Sequence, residues 1–134
     1  MLMLNPNSNG VRFGLGNGSV WTVLLDTTGD YILTGTWHHI MCTWDGTIAN
    51  IYIDGVNRAS CNWSGTLGTN DVALGIGAYS NDGVSWSDYF NGVIDEVAIY
   101  NRALSASEFK AYHTVDTNQD GEVVVRGKNT YIRY

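Results

Sequence analysis

Trp37-His38-His39-Ile40-Met41-Cys42-Thr43-Trp44, the break Asp45-Gly46-Thr47, then Ile48-Ala49-Asn50-Ile51-Tyr52-Ile53 and Asp54-Gly55-Val56 decide the fold. Successive side chains of a strand point to opposite faces, so residues two apart share one. Ile40, Cys42 and Trp44 are apolar at every second position, and Ile51 and Ile53 repeat the pattern, which lets both strands turn an apolar face to one core. Asp54-Gly55 tolerates the positive φ angles of a type I′ turn, whose twist matches the strands it joins. Three strands are therefore expected in a meander: His38 to Trp44, Ile48 to Ile53 and Val56 to Asn62. Cys42 and Cys61 fall on its outer two strands, about 10 Å apart by strand spacing. A disulfide needs α-carbons nearer than about 7 Å, so two free, mostly buried thiols are expected. Trp37 and Trp44 each carry enough apolar area to anchor the core.

Outward from this stretch, runs of β-branched and aromatic residues alternate with Asn, Asp, Ser and Gly at intervals of about ten residues, the mark of an antiparallel sandwich or barrel. Further strands are expected at Val11 to Leu15, Val20 to Leu25, Tyr31 to Leu33, Val72 to Ala78, Val93 to Tyr100, Glu122 to Val125 and Thr130 to Tyr134. Helical periodicity is nearly absent. Ser105-Ala106-Ser107-Glu108 reads as a capping box in which each end satisfies the other's amide, so one short helix should run from 105 to about His113.

The 134 residues, 44 % apolar and 15 % charged, suit one globular domain. One proline against sixteen glycines, with 12 % aromatics, fits neither a collagen-like nor a disordered chain. Seven basic and thirteen acidic residues give a net charge of −6, a field that repels phosphate backbones and anionic lipid. Nucleic acid is thus not an expected partner. No apolar run approaches the ~20 residues of a spanning helix, so membrane insertion is not expected either.

The stretch 37–47 with Ile51-Tyr52-Ile53-Asp54-Gly55-Val56 resembles the laminin-G-like and concanavalin A-like lectin superfamily. Leu74-Gly75-Ile76-Gly77 and Phe90-Asn91-Gly92-Val93-Ile94-Asp95-Glu96-Val97-Ala98-Ile99-Tyr100-Asn101-Arg102-Ala103-Leu104-Ser105 look like that family's closing strand and short helix. The resemblance implies an all-β, antiparallel jelly-roll sandwich with one short helix near 105–113. The domain is expected to occupy 1–115, with 116–134 a tail that supplies an extra strand or hairpin. The family carries further strands before the segment that begins near Val11, so the chain reads as N-terminally shortened, a module of a larger extracellular or cell-surface protein. Unpaired sheet edges invite association, and a homodimer through them is a reading the pattern allows.

Glycosidases need two carboxyl groups flanking one bond. Asp95 and Glu96 are adjacent on an expected strand and would face opposite ways, and Glu108 and Glu122 lie in the helix cap and the tail, so no acid/base pair is expected. Asp95 shares a face with Val93, Val97 and Ile99 and should need a partner there, backbone amides of a nearby turn or, as the alternative, a metal ion. His38 and His39 also face opposite ways, which excludes a two-histidine metal clip.

Tyr79-Ser80-Asn81-Asp82-Gly83-Val84-Ser85-Trp86-Ser87-Asp88-Tyr89 mixes oxygen donors with aromatics. Calcium takes six to eight such oxygens. In pentraxins, which are similar in this half, the loop supplies calcium ligands, and the resemblance carries that role onto Ser80, Asn81 and Asp88, with Asn7 and Asn9 as the second cluster. The other reading is a solvated Asn/Asp/Gly loop. Tyr79, Asn81, Asp82, Trp86, Asp88 and Tyr89 combine flat apolar faces with hydrogen-bonding groups, the combination that grips a sugar ring. Trp86 could instead fold back as a lid on the core. Asp116, Asn118 and Asp120, with Gly121, resemble the first half of an EF-hand loop, although its twelfth position is Gly127; a polar turn into a strand is the alternative. The expected function is a non-catalytic, lectin-like carbohydrate-binding module whose partner is a glycan or glycoprotein and whose cofactor, where one is used, is calcium. The alternative is an adhesion, protein-interaction or structural assembly module without sugar affinity.

Overall fold

The computed structural model describes residues 1–4, 9–69, 71, 73–80, 82–112, 115–117, 123–125 and 131–133, with no side chains described for 21–24 or beyond 109. Ten strands and one helix are seen there: β1 (Leu2–Leu4), β2 (Val11–Gly16), β3 (Trp21–Asp26), β4 (Trp37–Trp44), β5 (Ile48–Ile53), β6 (Val56–Asn62), β7 (Val93–Asp95), α1 (Ala106–Tyr112), β8 (Val115–Thr117), β9 (Val123–Val125) and β10 (Tyr131–Arg133). They form a three-stranded sheet, β1-β2-β3, a five-stranded sheet, β6-β5-β4-β10-β7, and the pair β8-β9. The two larger sheets are antiparallel throughout, and the fold is an all-β sandwich with one short helix.

The central meander follows the alternation. Ile40 stands opposite Ile53 and Cys42 opposite Ile51, so the apolar positions of β4 and β5 share a face. That face meets Val11 of β2, and Val11, Ile32, Ile40, Ile51 and Ile53 form the core, with Phe13, Leu25, Tyr31, Cys42, Phe90 and Ile94 packed around it. Arg12, one residue out of step with Val11, pairs instead with Asp26 directly across the ladder at 2.7 and 2.9 Å. The Ile53-Asp54-Gly55-Val56 turn has φ of 50° at Asp54 and 78° at Gly55, the left-handed pair that a type I′ turn needs. A bulge after Ile51 leaves Arg58 without an opposite residue, and its guanidinium lies 4.3 Å over the Tyr31 ring. Both cysteines are free thiols on β4 and β6, with β5 between them.

The helix begins as the capping box predicts: Glu108 N donates to Ser105 Oγ at 3.2 Å, and Ser105 N to Glu108 Oε2 at 2.8 Å. Arg102 adds a bidentate pair to Glu108 at 3.1 and 2.6 Å. Phe109, fully buried, carries the helix onto the outer face of the five-stranded sheet, against His39 (4.3 Å between centroids) and Tyr52 (5.4 Å).

Several expected elements differ. Tyr31 to Leu33 is not a strand, because Tyr31 N and Ile32 N both donate to Asn9 O and Leu33 N donates to a histidine ring. The described residues of 72–78 form no strand either: Gly77 takes φ of 79° and its carbonyl accepts from Phe90 N. The strand expected through Tyr100 stops at Asp95, since Glu96 has φ of 53° and leaves the extended region. Asp95 is consequently exposed, not on a core face, and its carboxylate accepts from the next amide, Glu96 N, at 2.8 Å. Val97 and Ile99 are exposed with it. Trp37 is 43 % exposed at the start of β4 and anchors no core, whereas Trp44 is partly buried, its ring tilted against that of Trp63 and bonded through Nε1 to the Trp63 carbonyl. β10, near the end of the chain, pairs with β4 on one side and β7 on the other. It fills an interior place in the sheet.

Candidate functional site

The loop between the glycine-rich segment 75–77 and β7 is closed by a two-residue ladder, Tyr79 N to Ser87 O and Ser87 N to Tyr79 O, both 2.8 Å. Inside it, Asp82 organises the turn. Its Oδ1 accepts from Ser85 N (2.7 Å), Val84 N (2.9 Å) and Ser80 Oγ (2.9 Å), and its Oδ2 from Ser85 Oγ (2.9 Å). The Ser85 and Val84 amides, and then the two hydroxyls, pull the Asp82 carboxyl well below the usual carboxylate range. It is a fixed anion, with its acceptor capacity engaged within the loop. Ser80 is committed as well, donating to Asp82 and accepting from Gly83 N at 2.9 Å.

Trp86 is partly buried. A β-carbon at Gly75 would stand 2.1 Å from the Trp86 ring, so the indole lies flush on the glycine backbone. The ring packed on that glycine also borders a depression of about 210 Å³ with Asp82, Ser85 and Ser87. Tyr89 is 72 % exposed, its hydroxyl donating to Trp86 O at 3.1 Å, which orients the ring. Asp88, in the left-handed region at φ of 48°, is exposed and accepts only a long bond from Ser87 Oγ at 3.4 Å among the described residues. Tyr79, Trp86, Asp88 and Tyr89 also line a broad cleft of about 2090 Å³ that opens between the sheets, with Leu74 and Ile99 on its wall. The loop thus gathers Tyr79, Asp82, Trp86, Asp88 and Tyr89, and their roles divide: Asp82 builds the loop, Trp86 packs it down, and Asp88 and Tyr89 face outward.

Calcium needs several oxygens converging on one point. Among the described residues no group of three or more His, Cys, Asp or Glu side chains could hold a metal. Ser80 and Asp82 bind each other, the Asn9 backbone carbonyl accepts from Tyr31 N and Ile32 N, and the Asp88 carboxylate accepts one long bond from Ser87 Oγ among the described residues. Asn7, Asn81, Asn118 and Asp120 lie outside the described residues. Asp116 sits in β8 opposite Val124, and its side chain lies outside the description too.

A polar clasp at the far end of the meander was not read from the sequence. His38, 5 % exposed, engages Asp54 Oδ2 through Nδ1 at 2.7 Å, and Leu33 N donates to its Nε2 at 2.9 Å. This network assigns the proton to Nδ1. Asp54 Oδ1 accepts from His39 N at 2.9 Å, and Asp54 N donates to His39 O at 2.9 Å. Both His38 nitrogens are occupied, and His38 and His39 do face opposite ways. A signal did exist: the Ile40–Ile53 register places the turn aspartate beside the histidine pair. On the outer face of the same sheet Asn50 Oδ1 accepts from Ser60 Oγ (2.7 Å) and Asn57 Nδ2 (3.1 Å), a polar cluster set by the direct opposition of Asn50 and Ser60. The exposed, non-extended Glu96 means that strand alternation does not decide the Asp95–Glu96 geometry; Glu122 lies outside the described residues.

Among solved structures, an S-layer domain-containing protein from Clostridium thermocellum is similar, with 23 % identity and a TM-score of 0.51 over 85 % of this chain. The match spans 61 % of that chain's length and bears on the fold. No curated protein matches the chain. Residues 1–110 match the concanavalin A-like lectin/glucanases superfamily (Laminin_G_3), the span that holds the meander, the rim loop and the start of the helix, and the chain belongs to this family.

Proposed function

We propose that this domain is a non-catalytic carbohydrate-binding module of a larger cell-surface protein, taking glycan at the rim built on residues 79–89. The observation that supports the reading is Tyr89, an aromatic face 72 % exposed and oriented by its own hydroxyl bond, beside the exposed Asp88 carboxylate, which accepts one long bond among the described residues. Sugar rings are held by such pairs, an apolar face against the C–H side and a charged acceptor for hydroxyls. Asp82 prepays the ordering of the loop, which lowers the entropy cost of binding. Asn81, which the sequence assigns to the same rim, lies outside the described residues. The S-layer protein of similar fold is consistent with a cell-surface setting. No helix among the described residues is long and apolar enough to cross a membrane, and the net charge of −6 disfavours nucleic acid.

The test is a glycan array followed by calorimetry on the best hit, with Tyr89→Ala and Asp88→Asn. Both side chains are exposed, so the fold should survive. Loss of binding in both variants with unchanged thermal unfolding is the expected result; parent-like binding in both overturns the assignment of the rim. A second reading, an adhesion module without sugar affinity, has one observation in its favour: Leu74 (72 % exposed) and Ile99 (74 %) line the open cleft and give it an exposed apolar wall that a protein partner could cover. An array with no hits would favour that reading. Association of two copies through sheet edges would then be the first thing to test by sedimentation.

A further inference from the structure

The sequence contains three Asn-Gly pairs, Asn9-Gly10, Asn17-Gly18 and Asn91-Gly92, and the fold treats them differently. In such a pair the glycine amide nitrogen, unhindered by a β-carbon, can attack the asparagine side-chain carbonyl carbon. The new N–C bond closes a five-membered imide and the side-chain nitrogen leaves as ammonia; water then opens the ring to aspartate or to isoaspartate, in which the backbone runs through the former side chain. No oxidant or cofactor is involved. Because the attacking residue is glycine in all three pairs, differences in rate arise from the conformational freedom of each site.

Two pairs are held. Asn9 O accepts from Tyr31 N (3.0 Å) and Ile32 N (2.8 Å), Asn9 N donates to Asp30 Oδ1 (3.3 Å), and Gly10 is buried. At the second, Asn17 Oδ1 accepts from both Ser19 N and Val20 N at 3.1 Å. The Asn17-Gly18 backbone is also pressed against Gly68 and Thr69: a β-carbon on Gly68 would fall 1.7 Å from Asn17 O, and one on Gly18 2.8 Å from Thr69 O. At the third, Asn91 and Gly92 are both exposed, and the Asn91 carboxamide makes no hydrogen bond among the described residues. Asn91 also lines the cleft shared by Trp86, Asp88 and Tyr89.

We propose that Asn91 is the site of spontaneous deamidation in the folded protein, converting a neutral amide at the cleft into a carboxylate. The isoaspartate product lengthens the backbone directly before β7, whose Val93 pairs with Arg133 of β10. The change therefore reaches both the charge of the cleft and the pairing of that edge strand.

The experiment incubates the whole chain at mildly alkaline pH, folded and in denaturant, and measures aspartate and isoaspartate at each pair by peptide mapping. In the folded protein Asn91 should convert first. Asn17, which must give up two hydrogen bonds, should lag by about tenfold or more. In denaturant the three rates should converge. Equal or faster conversion at Asn17 or Asn9 in the folded chain overturns the proposal, and so does the same ranking in denaturant. Gly92 is not among the glycines of positive φ, so Gly92→Ala suits the backbone and should slow Asn91 alone. Conversion of Asn91 at the parent rate in that variant would remove Gly92 N as the attacking atom.

Discussion

Replacing Asp54 by alanine tests whether the His38 clasp holds the meander. The carboxylate serves two donors, His38 Nδ1 at 2.7 Å and His39 N at 2.9 Å, from a residue in the left-handed region. A hydrogen bond to a charged group contributes about 1.5–3 kcal/mol, and the low end applies because the Asp54 side chain is 34 % exposed. Stranding the buried His39 amide costs about 1–3 kcal/mol, and alanine in the left-handed region about 1 kcal/mol more than a residue that tolerates it. The expected loss is about 3.5–5.5 kcal/mol, read by urea denaturation, with Tm lowered by roughly 10–20 °C for a chain of this size. Asp54→Asn keeps one acceptor and tolerates positive φ, so it should lose about half as much. A double-mutant cycle with His38→Ala should give a coupling of about 1 kcal/mol or more. A loss of about 1 kcal/mol or less for Asp54→Ala would refute the reasoning, since the clasp would then contribute nothing beyond turn propensity.

Glu108 is held down to about 2, first by Arg102 and then by the Ser105 amide and hydroxyl. Its folded value lies below the unfolded one, so its contribution is present above the unfolded value and is lost as pH falls towards about 2. Glu108→Gln should flatten acid unfolding in that window, and an unchanged acid limb would contradict the cap. Burial pushes the Cys42 thiol up, so it should resist aromatic disulfide reagents in the native state; denaturant without reductant should expose two thiols, and none would mean a disulfide. Thermal unfolding should be the same in chelator and in millimolar calcium, because no three or more His, Cys, Asp or Glu side chains gather among the described residues. A clear rise in Tm would place an ion on a set that draws on Asn7, Asn81 or the segment 116–120.

Much of the fold was legible because it is written in local patterns. The apolar alternation at 40, 42, 51 and 53, the Asp54-Gly55 turn and the Ser105–Glu108 cap each depend on residues within one element or one turn, and each stands in the structure as read. The site was legible only as a composition. Residues 79–89 announced oxygen donors beside aromatics, but not that Asp82 would spend its acceptors on Ser80, Val84 and Ser85, nor that Trp86 would lie on Gly75. Those contacts depend on where segments separate in sequence come to rest.

The sequence by itself determined the class of the domain, an antiparallel sandwich with free cysteines, an acidic charge and one capped helix, because period, turn chemistry and charge count are properties of short stretches. Only the tertiary structure decided that the run after Val93 is a strand for three residues, that β10 lies between β4 and β7, and that His38 closes on Asp54. The physical reason is that strand pairing and buried polar bonds are satisfied between distant segments. A run with strand propensity becomes a strand only where a partner ladder reaches it, and Glu96, with its positive φ, turns the chain away beside the start of β10.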